Sequence, residues 1–156
     1  MRRVGMQALL ALGLSAGITL AAPSAADAAK RHIVVTAVEP KGGANVEKEA
    51  FPGALPEGGG YVLKAPDEKG RWEVAVYVWD PRQIHVDEGD EVTLEFIGIN
   101  GASHPTTITG YDKTFELKRG EVNKVSFVAD KPGRFEIICA AHHPTMVAEL
   151  IVAPKK

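Results

Sequence analysis

Short apolar segments recur along residues 32–152 with turn residues between them, and no long stretch repeats with the helical period. Val92, Leu94 and Phe96, for example, alternate with polar residues, as a strand with one buried face requires. The pattern predicts an all-β protein, folded as a β-sandwich. The predicted strands are residues 32–38, 61–64, 72–79, 82–86, 90–97, 104–109, 113–117, 121–128, 134–139 and 146–152.

Residues 1–28 have the pattern of an export signal. Two arginines precede an uncharged apolar run over residues 6–22, and small residues follow it. We expect cleavage after Ala28, or else after Ala25, and export by the general secretory route rather than the twin-arginine route. The apolar run is short for a membrane span and no cysteine lies near the cleavage site, so no membrane anchor is expected. Residues 29–156 then form one domain in the periplasm or outside the cell.

The segment over residues 39–60 differs from the rest because it is dense in glycine and proline and has no strand period. We expect a long surface loop or a loosely ordered insertion. Loops of this length are often functional, so two interpretations stay open: the segment covers part of a site or contacts a partner, or it is a plain insert.

The charges of the chain do not favour nucleic acid as a partner. The sequence has 18 Lys and Arg against 20 Asp and Glu, for a net charge of −2 at pH 7. The basic residues are dispersed along the chain rather than clustered, and we therefore expect no nucleic-acid binding.

Four side chains near two strand ends form a candidate metal site. Alternation along residues 134–139 turns Cys139 inward, and His143 and Met146 follow in one short loop. His104 lies at the start of another predicted strand, after a glycine-containing loop. Two imidazoles, a thiolate and a weak axial thioether are the ligands of blue-copper electron-transfer sites. The set therefore predicts one copper ion bound by His104, Cys139, His143 and Met146.

The C-terminal half of the chain resembles the cupredoxins. The similar pieces are EGDEVTLEF at 88–96, the His104 loop, FVADKPG at 127–133 and CAAHHPTM at 139–146. They are most similar to the C-terminal copper domain of nitrous oxide reductase and to the related domain of cytochrome oxidase subunit II. The resemblance implies a cupredoxin-like Greek-key β-sandwich. Those domains hold two copper ions with a further cysteine at the position of Phe135, so its absence here implies a mononuclear, type 1-like site.

The second imidazole ligand has two candidates. Plastocyanin-like loops place the histidine three positions after the cysteine, which selects His142, whereas the binuclear-type spacing of four selects His143. We prefer His143, because the alignment from Cys139 to Met146 then needs no gap. His142 would in that case be a surface residue close to the copper.

Other polar and aromatic residues have simpler interpretations. We expect Asn100 to be a turn residue, with a hydrogen bond to the ligand loop as the alternative. His32 and His85 are expected to face solvent. The aromatic residues of the valine-rich segment are expected to pack in the core, namely Trp72, Tyr77 and Trp79.

The predicted function is the transfer of single electrons between periplasmic proteins, with the edge of His143 as the exit. Expected partners are a c-type cytochrome or a copper reductase or oxidase. The alternative is a copper carrier or metallochaperone that does not cycle the charge of the ion. We do not expect an enzyme, because catalytic copper needs an open coordination position that Met146 would fill.

Overall fold

Twelve strands make up almost all the regular structure in the computed structural model, which describes residues 28–53, 55–56 and 58–155. The strands are β1 (Lys30–Val38), β2 (Lys41–Asn45), β3 (Tyr61–Lys64), β4 (Arg71–Val76), β5 (Val78–Asp80), β6 (Gln83–Asp87), β7 (Glu91–Gly98), β8 (Ser103–Ile108), β9 (Lys113–Lys118), β10 (Val122–Val128), β11 (Gly133–Cys139) and β12 (Val147–Ala153). A single 3-10 turn, Ala140–His142, lies between β11 and β12. The predicted export signal lies outside the described residues except for Ala28.

Two mixed sheets face each other. One has the strand order β10-β7-β1-β5 and the other β6-β12-β11-β8-β9. Parallel pairing joins β1 to β7 and β6 to β12, and the other neighbours within these two sheets are antiparallel. The sheets therefore form a sandwich whose strands β7, β8 and β11 bring their ends to one pole.

The core lies between the two sheets and follows the alternation of the strands. On β7 the residues Val92, Leu94 and Phe96 are buried, and the residues between them are not. Leu150 on β12 and Ile137 on β11 are likewise inward-facing and fully buried. Burial of such side chains stabilises the fold by roughly 1.5–3 kcal/mol each, which lets the sandwich stand without disulfides.

The predicted strands are confirmed with two corrections. The segment 72–79 is interrupted at Tyr77, so that β4 and β5 belong to different sheets. The segment 39–60 was expected to lack strands, but it contains β2, whose glycines hid the strand pattern. That strand forms because β4 offers it a complete antiparallel partner from Lys41 to Asn45.

A third sheet of order β2-β4-β3 stands beside the sandwich and has its own small core. Trp72 on β4 packs edge-on against Phe51, and its indole N–H donates to the carbonyl oxygen of Glu49 at 2.9 Å. Trp72 is therefore buried, as predicted, but away from the main core.

Among the described residues, no helix is both long enough and apolar enough to cross a membrane.

Candidate metal centre

Cys139 reaches the pole of the sandwich because β11 ends there. It is on the inward face of the strand with Ile137, and it is fully buried. The register pairs Cys139 with Thr106 of the neighbouring strand β8. This pairing places the thiol beside the first residues of β8.

Alternation along β8 likewise turns His104 toward the thiol of Cys139. On β8 it shares the buried face with Thr106 and Ile108, and its ring is fully buried. Its Nδ1 lies 3.7 Å from the Sγ of Cys139. The sequence prediction that these two residues, 35 positions apart, converge is therefore met by the structure.

A backbone carbonyl fixes the orientation and tautomer of His104. The Nε2–H donates to the carbonyl oxygen of Asn100 at 2.6 Å. Because a carbonyl oxygen can only accept, the proton must be on Nε2, and the neutral ring keeps a lone pair on Nδ1. That lone pair is on the nitrogen that faces Cys139. Asn100 thus supports His104 through its main chain, whereas its side-chain oxygen accepts from the backbone N–H of Glu39 at 3.2 Å.

His142, and not His143, is the second histidine that the structure brings to the thiol. Its Nδ1 lies 3.4 Å from the Sγ of Cys139. The donor atoms of His104, Cys139 and His142 all lie within 4.8 Å of one another. These three side chains are named the donor cluster below.

The local backbone brings His142, rather than the preferred His143, to the thiol. A 3-10 turn has three residues per turn, so the residue three positions after Cys139 returns over the sulfur. The chain then leaves the turn at His143, whose backbone is extended with φ −69° and ψ 142°. His143 is exposed to solvent. Spacing by alignment favoured His143, whereas the turn geometry selects His142.

Met146 closes the ligand loop through its main chain. Its backbone N–H donates to the carbonyl oxygen of His142 at 3.0 Å, and its carbonyl oxygen accepts from the N–H of Cys139 at 3.1 Å. The side chain is fully buried in the same apolar core as Cys139. Cys139, His142 and Met146 are therefore held together by one compact loop, while the side chain of His143 in the same loop is exposed to solvent.

Burial favours the uncharged forms of Cys139 and His142. It raises the pKa of the Cys139 thiol, although backbone N–H groups of Ala141 and His142 act in the opposite direction. Burial lowers the pKa of His142, and the neighbouring His104 lowers it further. A bound cation reverses this preference for the thiol, because metal coordination deprotonates it.

Tyr77 and Trp79 pack in or against the core, as predicted, and they also flank the donor cluster. The ring of Tyr77 stacks on His142 with centroids 3.9 Å apart and planes 27° apart, and it meets His104 edge-on at 5.9 Å. Trp79 is fully buried and packs against both His104 and Phe96. Sequence reasoning missed the contact of these two residues with the donor cluster, because that contact depends on the break between β4 and β5. Nothing in the alternation of residues 72–79 marks the break.

Two glycines allow the surrounding loops to approach the histidines. A Cβ on Gly101 would lie 2.6 Å from Cε1 of His104, and the residue has φ +78°. A Cβ on Gly60 would lie 2.1 Å from Oγ1 of Thr145 and 2.2 Å from the carbonyl oxygen of His142. The end of the segment 39–60 therefore packs directly on the ligand loop.

The other two histidines of the chain are on the surface. His32 and His85 are exposed, as predicted. His32 pairs with Glu95 at 2.8 Å. Neither residue contributes to the donor cluster.

No family model matches the chain. In sequence, an alignment 80 residues long that covers 47% of the chain is 30% identical to the nitrous-oxide reductase of Stutzerimonas stutzeri, and it spans 12% of that protein's length. A copper nitrite reductase from Nitrosomonas europaea aligns in structure over 80% of the chain and 42% of its own length, with 22% identity and a TM-score of 0.51. A multicopper oxidase, mgLAC, aligns over 82% of the chain and 40% of its own length, with 20% identity and a TM-score of 0.53.

These structural likenesses establish the fold. The chain has the cupredoxin fold, an all-β Greek-key sandwich, as the sequence resemblance implied. At its pole lies a His-Cys-His cluster.

Proposed function

We propose that the chain binds one copper ion through His104, Cys139 and His142, with Met146 as a weak fourth ligand, and that it carries single electrons. The observation that supports this most directly is the convergence of two imidazole nitrogens on one buried thiol, at 3.7 and 3.4 Å. Thiolate and imidazole together are ligands that suit copper, and this combination with an axial thioether is that of blue-copper sites.

The donor cluster fits such an ion on its own chemistry. The Nδ1 lone pair of His104 is fixed by the hydrogen bond to Asn100, and the ring of His142 is held by stacking on Tyr77. When bound, copper supplies a centre that gains and loses one electron. The residues around it contribute rigidity, because strand ends and packed rings leave the ligands little freedom to move.

One ion is proposed rather than two because the sequence contains a single cysteine. Phe135, at the position of the further cysteine in the similar binuclear domains, packs edge-on against Tyr111 at 4.9 Å. A second bridging thiolate is therefore not available from this chain.

We propose that electrons enter and leave at the pole where the ligand loop meets solvent. His142 is half-buried there, and His143 and Pro144 beside it are exposed. A redox protein of the periplasm, such as a c-type cytochrome or a copper reductase or oxidase, is the proposed partner. Small and weak interfaces are typical of such encounters. Met146, the proposed fourth ligand, is fully buried, which supports a carrier of electrons rather than a copper enzyme with an open coordination position.

The visible and electron paramagnetic resonance spectra of the copper-loaded protein test this function. We expect an intense thiolate-to-copper band and a reversible potential, and we expect Cys139→Ser to lose the band. Persistence of the band in that variant would contradict the assignment. A colourless cuprous protein that does not reoxidise reversibly would instead indicate a copper carrier or metallochaperone.

Met146 can be tested separately. Met146→Leu preserves much of the volume and the apolar character of the side chain, so the fold should be retained. If the thioether is a weak axial ligand, its removal should keep the band and raise the reduction potential, since the oxidised ion loses a donor. An unchanged potential would remove Met146 from the ligand set.

A further inference from the structure

A buried carboxylate at the opposite pole of the sandwich binds the start of the described chain. Asp90 is only 2% exposed, and its Oδ1 accepts a hydrogen bond from the backbone nitrogen of Ala29 at 2.9 Å. Its Oδ2 accepts from Nε of Arg31 at 2.7 Å and from the backbone N–H of Asp87 at 3.1 Å. The carboxylate is thus fully engaged, and one of its partners is the main-chain nitrogen of Ala29.

The sequence places a processing signal at that same nitrogen. Ala26 and Ala28 are the small residues at positions −3 and −1 that a signal peptidase requires, and they precede the bond between Ala28 and Ala29. Cleavage after Ala25, the alternative, would leave the nitrogen of Ala29 as an ordinary amide.

We propose that Asp90 is a receptor for the α-ammonium group that export processing creates at Ala29. A signal peptidase consumes one water molecule to hydrolyse the bond, which leaves a carboxylate on Ala28 and a protonated amine on Ala29. The nitrogen that donates to Asp90 as an amide then donates as a cation. The ammonium group therefore adds a Coulombic attraction to a hydrogen bond that the ionised carboxylate already accepts.

The charges at this pole support the assignment. Arg31 contacts both Asp90 and Asp87, at 2.7 and 3.2 Å, so two carboxylates share one guanidinium. The new ammonium group supplies the second positive charge and balances the cluster. The neighbouring Lys30 and Glu91 already form their own pair at 3.7 Å.

The contact between Ala29 and Asp90 also links cleavage before Ala29 to the stability of the fold. The carbonyl oxygen of Ala29 accepts from the N–H of Glu91 at 2.8 Å, and β1 then pairs with β7 from Lys30 to Ala37. Ala29 therefore anchors the first end of a strand in the middle of its sheet. The processed chain should hold this strand more firmly than any chain extended beyond Ala29.

The first test is the N-terminal residue of the protein exported from the full-length chain in a bacterial host, measured by mass spectrometry. Ala29 is expected. Any other first residue would overturn the proposal. This measurement does not involve copper, so it stands apart from the outcome of the spectroscopic test of function, although it shares with that function the proposed export.

The second test compares residues 29–156 with a free and with an acetylated Ala29, since both sheets and the core lie within the described part of this stretch. Acetylation should lower the midpoint of thermal unfolding by about 3–8 °C. The difference should shrink to near zero in Asp90→Asn. An equal loss on acetylation in both backgrounds would overturn the ion pair.

A pH series tests the same pair without a substitution. An α-amine that gains a partner has a raised pKa in the folded state, so its stabilisation is complete below about pH 7.7 and is lost as pH rises through the folded value. The advantage of the free over the acetylated chain should therefore fade at alkaline pH. The charged groups facing the amine are Arg31, Asp87 and Asp90, with Lys30, Glu88 and Glu91 beside them, and they are common to both chains. An advantage that persists undiminished to pH 11 would contradict the proposal.

Discussion

The two poles of the sandwich bury polar groups in opposite ways. At one pole the carboxylate of Asp90 receives hydrogen bonds from Ala29, Arg31 and Asp87. Burial opposes its ionisation, but these hydrogen bonds and the charge of Arg31 outweigh burial and lower the pKa of Asp90. At the other pole burial prevails, since it raises the pKa of Cys139 and lowers that of His142.

This contrast separates a structural polar cluster from a binding site. At the pole of Asp90, hydrogen bonds from the protein and the charge of Arg31 offset the cost of burying the carboxylate. The donor cluster gathers nitrogen and sulfur lone pairs around one point without a cation of its own. Perturbed groups of that second kind mark functional sites. The predictions below change one pole and measure both.

The largest expected effect is the loss of copper binding in His142→Ala. Removal of one of three strong donors should weaken copper binding by more than about 100-fold, beyond the effect of losing an outer-shell partner. The metal-free protein should lose only about 0.5–1.5 kcal/mol of stability, which is the contribution of the stack between His142 and Tyr77. Copper titration and chemical denaturation give the two readouts.

His143→Ala is the matched control for that variant. His143 is adjacent in sequence but exposed, so its removal should leave the band and the affinity unchanged. If His143→Ala lost the band and His142→Ala kept it, the 3-10 turn would not describe the copper-bound loop.

The next effect is at the other pole. Asp90→Ala leaves the guanidinium of Arg31 and two backbone N–H groups without their acceptor, which should destabilise the protein by about 2–4 kcal/mol. The spectrum of the copper-loaded protein should not change. Asp87→Ala is the control, because that side chain is 61% exposed and its loss should cost less than about 1 kcal/mol.

The fold could be predicted further from the sequence than the site could. Alternation such as that of Val92, Leu94 and Phe96 reports burial directly, because the strand period is fixed by backbone geometry. The strand β2 was missed because Gly42 and Gly43 have no side chains to show a pattern. Its formation depends on a partner strand, β4, that sequence reasoning could not assign to it.

The sequence predicted candidate ligands for the site, but it did not predict how they are arranged. Alternation was enough to turn Cys139 inward, and His104 was placed only at the start of another strand. The choice between His142 and His143 depended on the conformation of a three-residue turn, and spacing alone cannot determine that. Tyr77 was missed for a related reason, since its contact with His142 joins segments 65 residues apart and Tyr77 lies at the break between β4 and β5.

Acid should destabilise the protein through the protonation of Asp90. Its folded pKa lies below the ordinary value of about 3.9, so its stabilisation is present above that pH and is lost as pH falls through the folded value. The stability of the wild-type protein should therefore decline more steeply below about pH 4 than that of Asp90→Asn. Denaturant midpoints of the metal-free proteins between pH 2 and pH 6 provide the comparison, and parallel curves would contradict it.

The smallest effect concerns the stack on His142. Burial, followed by the charge of Glu39, raises the pKa of Tyr77, so its ring is a neutral phenol at neutral pH. An aromatic pair of this kind contributes about 0.5–1.5 kcal/mol. Tyr77→Leu should therefore release copper to a chelator roughly three- to tenfold faster, whereas Tyr77→Phe should keep the stack and the wild-type rate.

Tyr61 lies on β3, in the third sheet beside the sandwich. Tyr61→Leu is therefore a control for general loosening of that sheet. If Tyr61→Leu accelerated release as much as Tyr77→Leu, the sheet as a whole would protect the copper. If Tyr77→Phe behaved like Tyr77→Leu, the hydroxyl and its neighbour Glu39 would matter more than the stacked ring. Slower release from Tyr77→Phe than from Tyr77→Leu, with Tyr61→Leu unchanged, would mean that the segment inserted between β1 and β5 stabilises the metal centre through one aromatic contact.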